Sequence, residues 1–305
     1  MRLREENSNR LRASIRGTLP VIVTAAFVLL ASFGLPTLLG RLLNGETYLA
    51  GLIGMVANWL IYVPAITIGV WLAVRLNEGT LERFGLAPDQ RWIVNFVAGI
   101  GISVVVTLVY VGYGVSRGYF ELHPDRLADF GDIPPGVLLA FVGAMLVFVL
   151  LGVIWEELVF RGVMLQNYAE GLRARGLSPN WAVAVAAVGS LLFFGLYHLP
   201  WFGPFVWYTI GVGGIFVVAY LVTGRLDLAI GIHFGRFNEE LQGEEIAAVE
   251  LPAIFEIGEL SVASGIEVLV VEFAVSCLLI LVWGYYINGS VGIASQVYDP
   301  VESEF

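Results

Sequence analysis

Two adjacent carboxylates and an arginine one helical turn later end a long apolar run. The stretch WEELVFRG, residues 155–162, follows PPGVLLAFVGAMLVFVLLGVI, which is about as long as a membrane is thick. A charged side chain at the bilayer centre costs about 2.5–3.5 kcal/mol or more, so such residues are usually paired or functional. On a helix, Glu157 and Arg161 share a face and can pair, whereas Glu156 points about 100° away from Glu157. Glu156 therefore points either into a polar cavity or toward the lipid headgroups.

Two of the three histidines also lie in or beside apolar stretches. His198 lies in FFGLYHLP, where Phe194 can pack against its ring from four residues earlier, and His233 lies in AIGIHFGRFN. His123 is in a polar loop and is expected to be exposed. Taken singly, His198 could be an interfacial residue and His233 a hydrogen-bonded core residue. Together with Glu156 they supply a general base and groups that bind water, a carbonyl oxygen or a metal ion.

The elements that must position these residues are membrane helices. Of the 305 residues, 58% are hydrophobic and 14% are charged, against about 25% charged residues in soluble domains. The mean hydropathy is +0.81. Apolar spans near the ~20 residues that cross a bilayer lie at 19–43, 48–75, 92–116, 135–160, 181–199, 204–223, 226–242 and 262–287. The sequence therefore predicts an all-α integral membrane protein, a bundle of about eight transmembrane helices.

The arginines are distributed unevenly between the loops. The N-terminal arm has five, the loop 75–91 has three and the loop after the fourth span has two, whereas the intervening loops are poorer. The segment 237–260 has seven Glu and no Arg. By the positive-inside rule, both termini are expected in the cytoplasm. We expect a multi-pass protein of a prokaryotic plasma membrane, with a polar cytoplasmic arm (1–18), a membrane domain (19–287) and a short acidic tail (288–305).

The charge balance and the cysteine count exclude two classes of site. All sixteen positive charges are Arg, and 26 acids bring the net charge to −10. A basic footprint for nucleic acid is missing, so we expect no nucleic-acid partner. The lone Cys277 cannot form an internal disulfide.

Three short blocks, in order along the chain, resemble the signature of a protease family. The pattern of the CPBP family (CAAX prenyl endopeptidase and bacteriocin-processing, also called Abi) is EExxxR, then FxxxH, then HxxxN or HxxxD. The first block is complete at Glu156–Arg161 and the second at Phe194–His198; the flank Val222–Leu226, VTGRL, is similar to the family's approach to the third. The resemblance covers about residues 135–240. It implies an eight-helix bundle of an intramembrane protease with a polar active-site cavity.

The third block departs from the family pattern by one residue. The fourth residue after His233 is Phe237, and the asparagine follows one place later as Asn238. On a regular helix position i+4 lies about 40° from position i, whereas position i+5 lies about 140° away. We therefore expect Asn238 to reach the site only if a π-bulge or a helix end interrupts this stretch.

The resemblance also implies residue roles. Glu156 would take a proton from the attacking water, His198 and His233 would orient that water and stabilise negative charge, and Asn238 would assist at the oxyanion. The residues implied to support the site structurally are Glu157, Arg161 and Phe194. Glu156 and the two histidines also match zinc ligands in type, but the chain has no HExxH motif. A metal-free glutamic mechanism without a cofactor is predicted, with zinc as the alternative.

Three functions remain open at this point. An intramembrane endopeptidase would act in the lipid bilayer on a peptide or protein substrate, such as a prenylated C-terminal tail, a small secreted peptide or a transmembrane segment. A catalytically idle relative would act as a membrane scaffold, which the shifted Asn238 motivates. A small transporter is motivated by Glu272 and by the glycine-rich stretch 211–214, although we see no repeated halves.

The predicted span boundaries place the two histidines at different depths. His198 lies 17 residues into its span, or about 26 Å at 1.5 Å per residue, and His233 lies seven residues into its own, or about 10 Å. Convergence of the two would need strong tilt, a re-entrant segment or different boundaries.

Overall fold

The chain is almost entirely helical. A computed structural model describes residues 10–43, 48–236, 245–246, 249–250, 253–258 and 260–298. The α-helices are α1 (Ala13–Leu43), α2 (Tyr48–Asn77), α3 (Gln90–Ser116), α4 (Pro135–Glu156), α5 (Gln166–Arg173), α6 (Pro179–Phe202), α7 (Val206–Thr223), α8 (Asp227–Gly235), α9 (Val262–Asn288) and α10 (Ser295–Tyr298). A π-helical segment, Glu157–Leu165, joins α4 to α5, and 3-10 turns occupy Glu82–Phe84, Pro124–Asp132 and Gly203–Phe205. The short strands are β1 (Phe120–Leu122), β2 (Glu245–Ile246), β3 (Val249–Glu250) and β4 (Phe255–Ile257), paired β1–β4 and β2–β3.

Long apolar helices confirm the predicted class, an all-α integral membrane protein. The described part of the chain has 6 candidate membrane spans: Ala13–Leu30, Trp59–Asn77, Gln90–Ser116, Pro135–Arg173, Pro179–Thr223 and Val262–Asn288. One of them, Pro179–Thr223, contains both α6 and α7. The predicted span 226–242 is different: it is helical over the nine residues of α8, about 14 Å, which is half a bilayer. Its last residues, 237–242, lie outside the described residues, so the predicted number of eight spans is not confirmed.

One face of the bundle collects most of the arginines. We call it the arginine-rich face; α1, α3 and α6 begin there, and α2, α5, α7 and α9 end there. Arg16, which has no exposed side-chain surface, donates to Asn77 Oδ1 at 3.0 Å and to Glu170 Oε1 at 2.5 Å. Asn288 donates to the Val222 carbonyl at 3.2 Å. These bonds join the ends of α1, α2 and α5, and separately the ends of α7 and α9, at this face.

The other face is acidic. We call it the acidic face; α3 and α6 end there, and α4, α7 and α9 begin there. Strand β1 pairs antiparallel with β4, with Phe120 opposite Ile257. Glu267 on α9 accepts hydrogen bonds from Tyr119 at 2.9 Å and from Arg117 at 3.2 Å. The contacts fix the loop after α3 against the first turns of α9.

Close backbone packing and buried polar contacts hold the short helix α8. A Cβ atom at Gly99 on α3 would lie 2.6 Å from the Leu228 carbonyl oxygen, so only glycine allows this approach. At the first residue of α8, Asp227 accepts from Asn95 at 3.1 Å and from Arg225 at 2.6 Å. Because the charges of Asp227 and Arg225 are paired with each other, the start of α8 can be buried.

The two histidines lie at the same depth, since Nε2 of His198 and Nε2 of His233 are 3.8 and 3.9 Å from the same oxygen of Glu156. The turn between α7 and α8 is held at the arginine-rich face, where Arg225 donates to Asp89 just before α3. The predicted depth mismatch between His198 and His233 was wrong because it measured both depths from predicted span ends that were taken to lie at one level.

Candidate active site

A π-helical segment positions the two adjacent carboxylates. Glu156 is the last residue of α4, and Glu157 is the first residue of the π-helical segment, all nine residues of which are buried. A π-helical turn has i to i+5 bonding and shifts the direction of the side chains that follow, and such turns often occur at functional sites. Sequence spacing predicted an ordinary helix here, because no residue type marks a π-helix.

Glu156 lies between two histidines from other helices. Its Oε2 is 3.8 Å from Nε2 of His198 on α6 and 3.9 Å from Nε2 of His233 on α8. The side chains of Glu156, His198 and His233 are 11%, 14% and 12% exposed, so all three are largely buried within the bundle. The predicted convergence of a glutamate and two histidines from three apolar segments is thus present in the structure. Separations above 3.5 Å leave room for a bridging water.

A hydrogen bond at the other nitrogen sets the orientation of each histidine ring. His198 Nδ1 lies 2.9 Å from the carbonyl oxygen of Phe194, and His233 Nδ1 lies 2.8 Å from Glu157 Oε1. A carbonyl or carboxylate oxygen can only accept, so both Nδ1 atoms carry a proton. Both Nε2 atoms therefore face Glu156 with the same chemistry: acceptors when the ring is neutral, donors when it is protonated.

Glu157 contacts both Arg161, its partner in a buried ion pair, and the catalytic-site residue His233. It pairs with Arg161 at 3.1 Å, as predicted from the i,i+4 spacing, and neither side chain is exposed. The same Oε1 accepts a hydrogen bond from His233 Nδ1–H, which the sequence did not predict. The sequence predicted separate roles for Glu156 and Glu157. In the structure both lie beside the His233 ring, Glu156 near Nε2 and Glu157 at Nδ1.

Aromatic rings hold the arginine and the histidines in place. The ring of Phe194 lies 4.3 Å from the His198 ring, as predicted, and 4.2 Å from the Arg161 guanidinium carbon. Phe216 on α7 stacks on His233 with ring centres 4.2 Å apart and a 16° interplanar angle. The Arg161 guanidinium carbon lies 5.3 Å from the centre of the Phe216 ring. Phe216 could not be predicted as part of the site, because one aromatic residue in an apolar span gives no signal of its contacts.

Gly213 on α7 leaves room for the Arg161 guanidinium because it has no side chain. Arg161 Nη2 donates to the Gly213 carbonyl at 3.1 Å, and a Cβ atom at this position would lie 3.0 Å from Phe194 and 3.1 Å from Arg161 Nη2. The glycine-rich stretch 211–214, which motivated a transporter, therefore has a packing function at this position.

We expect Gly213→Ala to weaken the site, since the added methyl group must displace the Phe194 ring and the Arg161 guanidinium. Overpacking of this kind costs about 1–3 kcal/mol. The measurement is the denaturant midpoint in detergent, together with the cleavage rate. Gly143→Ala is the matched control, because nothing lies within 4 Å of a Cβ there. Equal effects of the two substitutions would contradict the packing role.

A second buried charge supports the end of α8. Glu272 on α9 has no exposed side-chain surface, forms an ion pair with Arg236 and accepts from the Tyr208 hydroxyl at 2.6 Å. Arg236 is one turn beyond His233, and its backbone N–H donates to the His233 carbonyl at 3.2 Å. The sequence identified Glu272 as a membrane-embedded charge, but its partner could not be predicted across 36 residues.

We expect Glu272→Gln to lower kcat more than it changes KM, because Arg236 would lose the partner that fixes the helix carrying His233. Glu267→Gln is the control on the same helix, since Glu267 is 42% exposed and bonded at the acidic face. The measurement is kcat and KM for cleavage by Glu272→Gln and by Glu267→Gln. If both variants show the same kcat and differ only in stability, Glu272 is structural and does not position His233.

Two sequence predictions fall outside this cluster. Asn238 lies outside the described residues; α8 ends at Gly235, so a helix end, one of the two expected interruptions, does precede it. His123 is at the acidic face, far along the chain from the site, and is 24% exposed rather than fully exposed, with Nε2 3.5 Å from Glu256.

Glu156 and the two histidines are zinc ligands by type. Among the residues that the structure describes, no group of three or more His, Cys, Asp or Glu side chains is arranged to hold a metal ion. Zinc bonds to nitrogen and oxygen are about 2.0–2.2 Å long. The chemistry below is therefore derived from the side chains alone.

The comparisons with known proteins identify the motif-bearing core. Residues 138–236 match the model of the family described as type II CAAX prenyl endopeptidase Rce1-like. No curated protein and no solved structure shows significant similarity to the chain. The match contains Glu156, His198 and His233 and falls within the 135–240 region predicted from the motifs. The predicted resemblance to the CPBP family of membrane-embedded proteases is thus confirmed over the segment that carries its motifs.

Proposed function

We propose that the chain is an intramembrane endopeptidase of the CAAX-processing type that hydrolyses a peptide bond with water activated by Glu156. The observation that carries this proposal is the position of Glu156, 3.8 and 3.9 Å from two histidine Nε2 atoms inside the family-matched segment.

The reaction begins with a water held against Glu156. The water oxygen attacks the scissile carbonyl carbon while its proton passes to the Glu156 carboxylate, which leaves a tetrahedral intermediate with a negative oxygen. The C–N bond then breaks as the Glu156 proton moves to the leaving nitrogen. The products are a carboxylic acid and an amine, which become a carboxylate and an ammonium ion by proton transfer, and Glu156 returns to its ionised form.

The two histidines act at their Nε2 atoms. A neutral ring accepts a hydrogen bond from the attacking water and orients it, and a protonated ring donates to the oxyanion. Glu157 keeps the His233 proton at Nδ1, and the Phe194 carbonyl does the same for His198. We propose Asn238 as a further oxyanion donor.

The features that suggested other functions have structural partners in the described chain. Glu272 pairs with Arg236, and Gly213 makes space for Arg161. Neither feature needs a transported solute to explain it. The scaffold alternative predicts no cleavage, so the same experiment decides it.

The test is a cleavage assay on purified protein in detergent, at high and low salt. The probes are a fluorogenic prenylated CAAX peptide and an unprenylated transmembrane peptide, with products identified by mass spectrometry. We expect cleavage of at least one probe, and Asn238→Ala is expected to reduce turnover by about 10²–10³, the usual effect of removing one oxyanion donor. Cleavage by wild type and Glu156→Ala at equal rates would refute the assigned mechanism.

A further inference from the structure

A small polar cavity lies at the arginine-rich face. Its volume is about 150 Å³, below the roughly 300–1,000 Å³ of most ligand sites, so it suits one small group. Its walls come from the segment before α1, the 3-10 turn Glu82–Phe84 and the helices α5, α6 and α10. Glu156, His198 and His233 are not among its lining residues, so this cavity is separate from the candidate active site.

The lining of the cavity has an excess of positive charge. It holds three guanidinium groups, those of Arg10, Arg83 and Arg173, and one carboxylate, that of Glu170, which also accepts from Arg16 at 2.5 Å. Burial lowers the pKa of the Arg83 guanidinium below its ordinary value; Glu170 opposes this effect, and the charges of Arg10 and Arg16 lower the pKa further. An anion among these groups would stabilise their charged forms.

Two nearly buried amide side chains also lie in the cavity wall, Gln166 at 6% and Asn167 at 2% exposure. Their nitrogens are already bonded: Asn167 donates to the Val163 carbonyl at 2.8 Å, and Gln166 donates to the Tyr220 hydroxyl at 2.5 Å. Gln166 Oε1, Asn167 Oδ1 and Arg83 Nε are buried and have no hydrogen-bond partner within the described chain. Because buried polar atoms normally have partners, these three atoms indicate an occupant that both accepts and donates hydrogen bonds.

The cavity lies at a level that solutes and lipid head groups can both reach. Helix α6, part of its wall, begins at Pro179, and the candidate span Pro135–Arg173 ends at another lining residue. Helix α10 closes one side through Tyr298, whose carbonyl accepts from Arg173. Basic pockets between membrane helices are typical binding sites for lipid phosphates.

The chemistry of the wall favours phosphate over a carboxylate. Guanidinium groups bind phosphate oxygens through paired, charge-assisted hydrogen bonds, and a phosphate group offers enough oxygens for several of them at once. Hydrogen phosphate also has an O–H group, and a glycerophosphate has alcohol groups beside the phosphate. A carboxylate has two oxygens and no donor for the amide oxygens.

We propose that this cavity binds a single phosphate group that has at least one hydroxyl on it or next to it. Arg10, Arg83 and Arg173 bind the phosphate oxygens, and the hydroxyl donates to the amide oxygen of Gln166 or Asn167. Two sources supply this chemistry: inorganic phosphate in solution and the glycerophosphate head group of an anionic lipid. Bound phosphate joins the segment before α1 to the turn before α3 and to α5, and so stabilises this end of the bundle. The proposal does not depend on cleavage activity.

The first arm of the test titrates the purified, delipidated protein in an uncharged detergent with inorganic phosphate, at constant ionic strength, by isothermal titration calorimetry. Arg83→Gln and Arg10→Gln should each weaken saturable binding about tenfold or more, the usual effect of losing a hydrogen bond to a charged group. Arg175→Gln is the matched control, because Arg175 is exposed at the same face and does not line the cavity. Unfolding midpoints without phosphate show which variants are folded; Arg10→Gln serves if Arg83→Gln is not.

The second arm measures lipid retention by native mass spectrometry after reconstitution with equal amounts of phosphatidylglycerol and phosphatidylcholine. Retention of phosphatidylglycerol that Arg83→Gln or Arg10→Gln removes and Arg175→Gln keeps identifies the source as a lipid head group. Binding of inorganic phosphate alone, with the same dependence, identifies it as dissolved phosphate.

Three results would overturn the proposal. The first is that neither inorganic phosphate nor phosphatidylglycerol binds the wild-type protein. The second is that the control Arg175→Gln weakens binding as much as Arg83→Gln and Arg10→Gln, which would show a general attraction to the arginine-rich face. The third is that phosphate binds only after removal of residues 299–305, which include three carboxylates, because the cavity would then serve that acidic segment.

Discussion

Glu156→Gln is expected to remove hydrolysis and leave the fold intact. Glutamine has the same shape as glutamate but cannot accept a proton, so the attacking water loses its base. The loss of a positioned general base typically lowers turnover by about 10²–10⁴. Glu156 is not part of the buried Arg161 ion pair, so the unfolding midpoint should change little. The initial cleavage rate and the midpoint, measured on the same detergent preparation, check both statements.

Glu121→Gln is the control for this experiment, because the Glu121 side chain is 80% exposed at the acidic face. It removes one carboxylate from the surface and should keep the wild-type rate. A Glu156→Gln variant that is folded and cleaves as fast as Glu121→Gln would contradict the role of Glu156 as the base.

Arg161→Met is expected to cause the largest loss of stability. Arg161 and Glu157 form an ion pair in which neither side chain is exposed, and Arg161 also donates to the Gly213 carbonyl. Removing one partner of a buried ion pair leaves the other charge uncompensated and costs about 3–5 kcal/mol. Unfolding by SDS in mixed micelles, followed by tryptophan fluorescence, measures the change in free energy.

The double variant Glu157→Gln/Arg161→Met tests whether the unpaired charge causes that loss. Since neither charge of this pair remains, it should recover about 0.5–3 kcal/mol relative to the sum of the single variants, the usual range for contacting pairs. Strict additivity would show that Arg161 stabilises the bundle only through Phe194, Phe216 and Gly213.

The long helices could be predicted from the sequence because their signal is local. An apolar stretch of membrane-crossing length has few alternatives, so spans such as 92–116 and 262–287 match α3 and α9 closely. Helix α8 was predicted too long, since its apolar pattern ends within residues 226–242 without a clear stop signal. Its position inside the bundle depends on the contacts of Gly99 and Gly162, which no local pattern reveals.

The candidate site was predictable to the extent that its residues carry charge into apolar segments. Glu156, His198 and His233 stood out for that reason, and the i,i+4 pair of Glu157 with Arg161 followed from helix geometry. The contacts between helices could not be predicted in the same way. That Glu157 binds His233 depends on how the π-helical segment meets α8, and this is a property of the packed bundle.

Glu156, His198 and His233 are proposed to act as one hydrolytic centre, and a double substitution of the two histidines examines this with a single substrate. Cleavage of one peptide is measured for His198→Ala, His233→Ala and the double variant, each with its unfolding midpoint. Because groups that act as a unit are strongly non-additive, the double variant should lose about as much activity as the more damaged single variant. If the two losses multiply instead, or if either single variant keeps the wild-type rate, the histidines do not share a centre with Glu156.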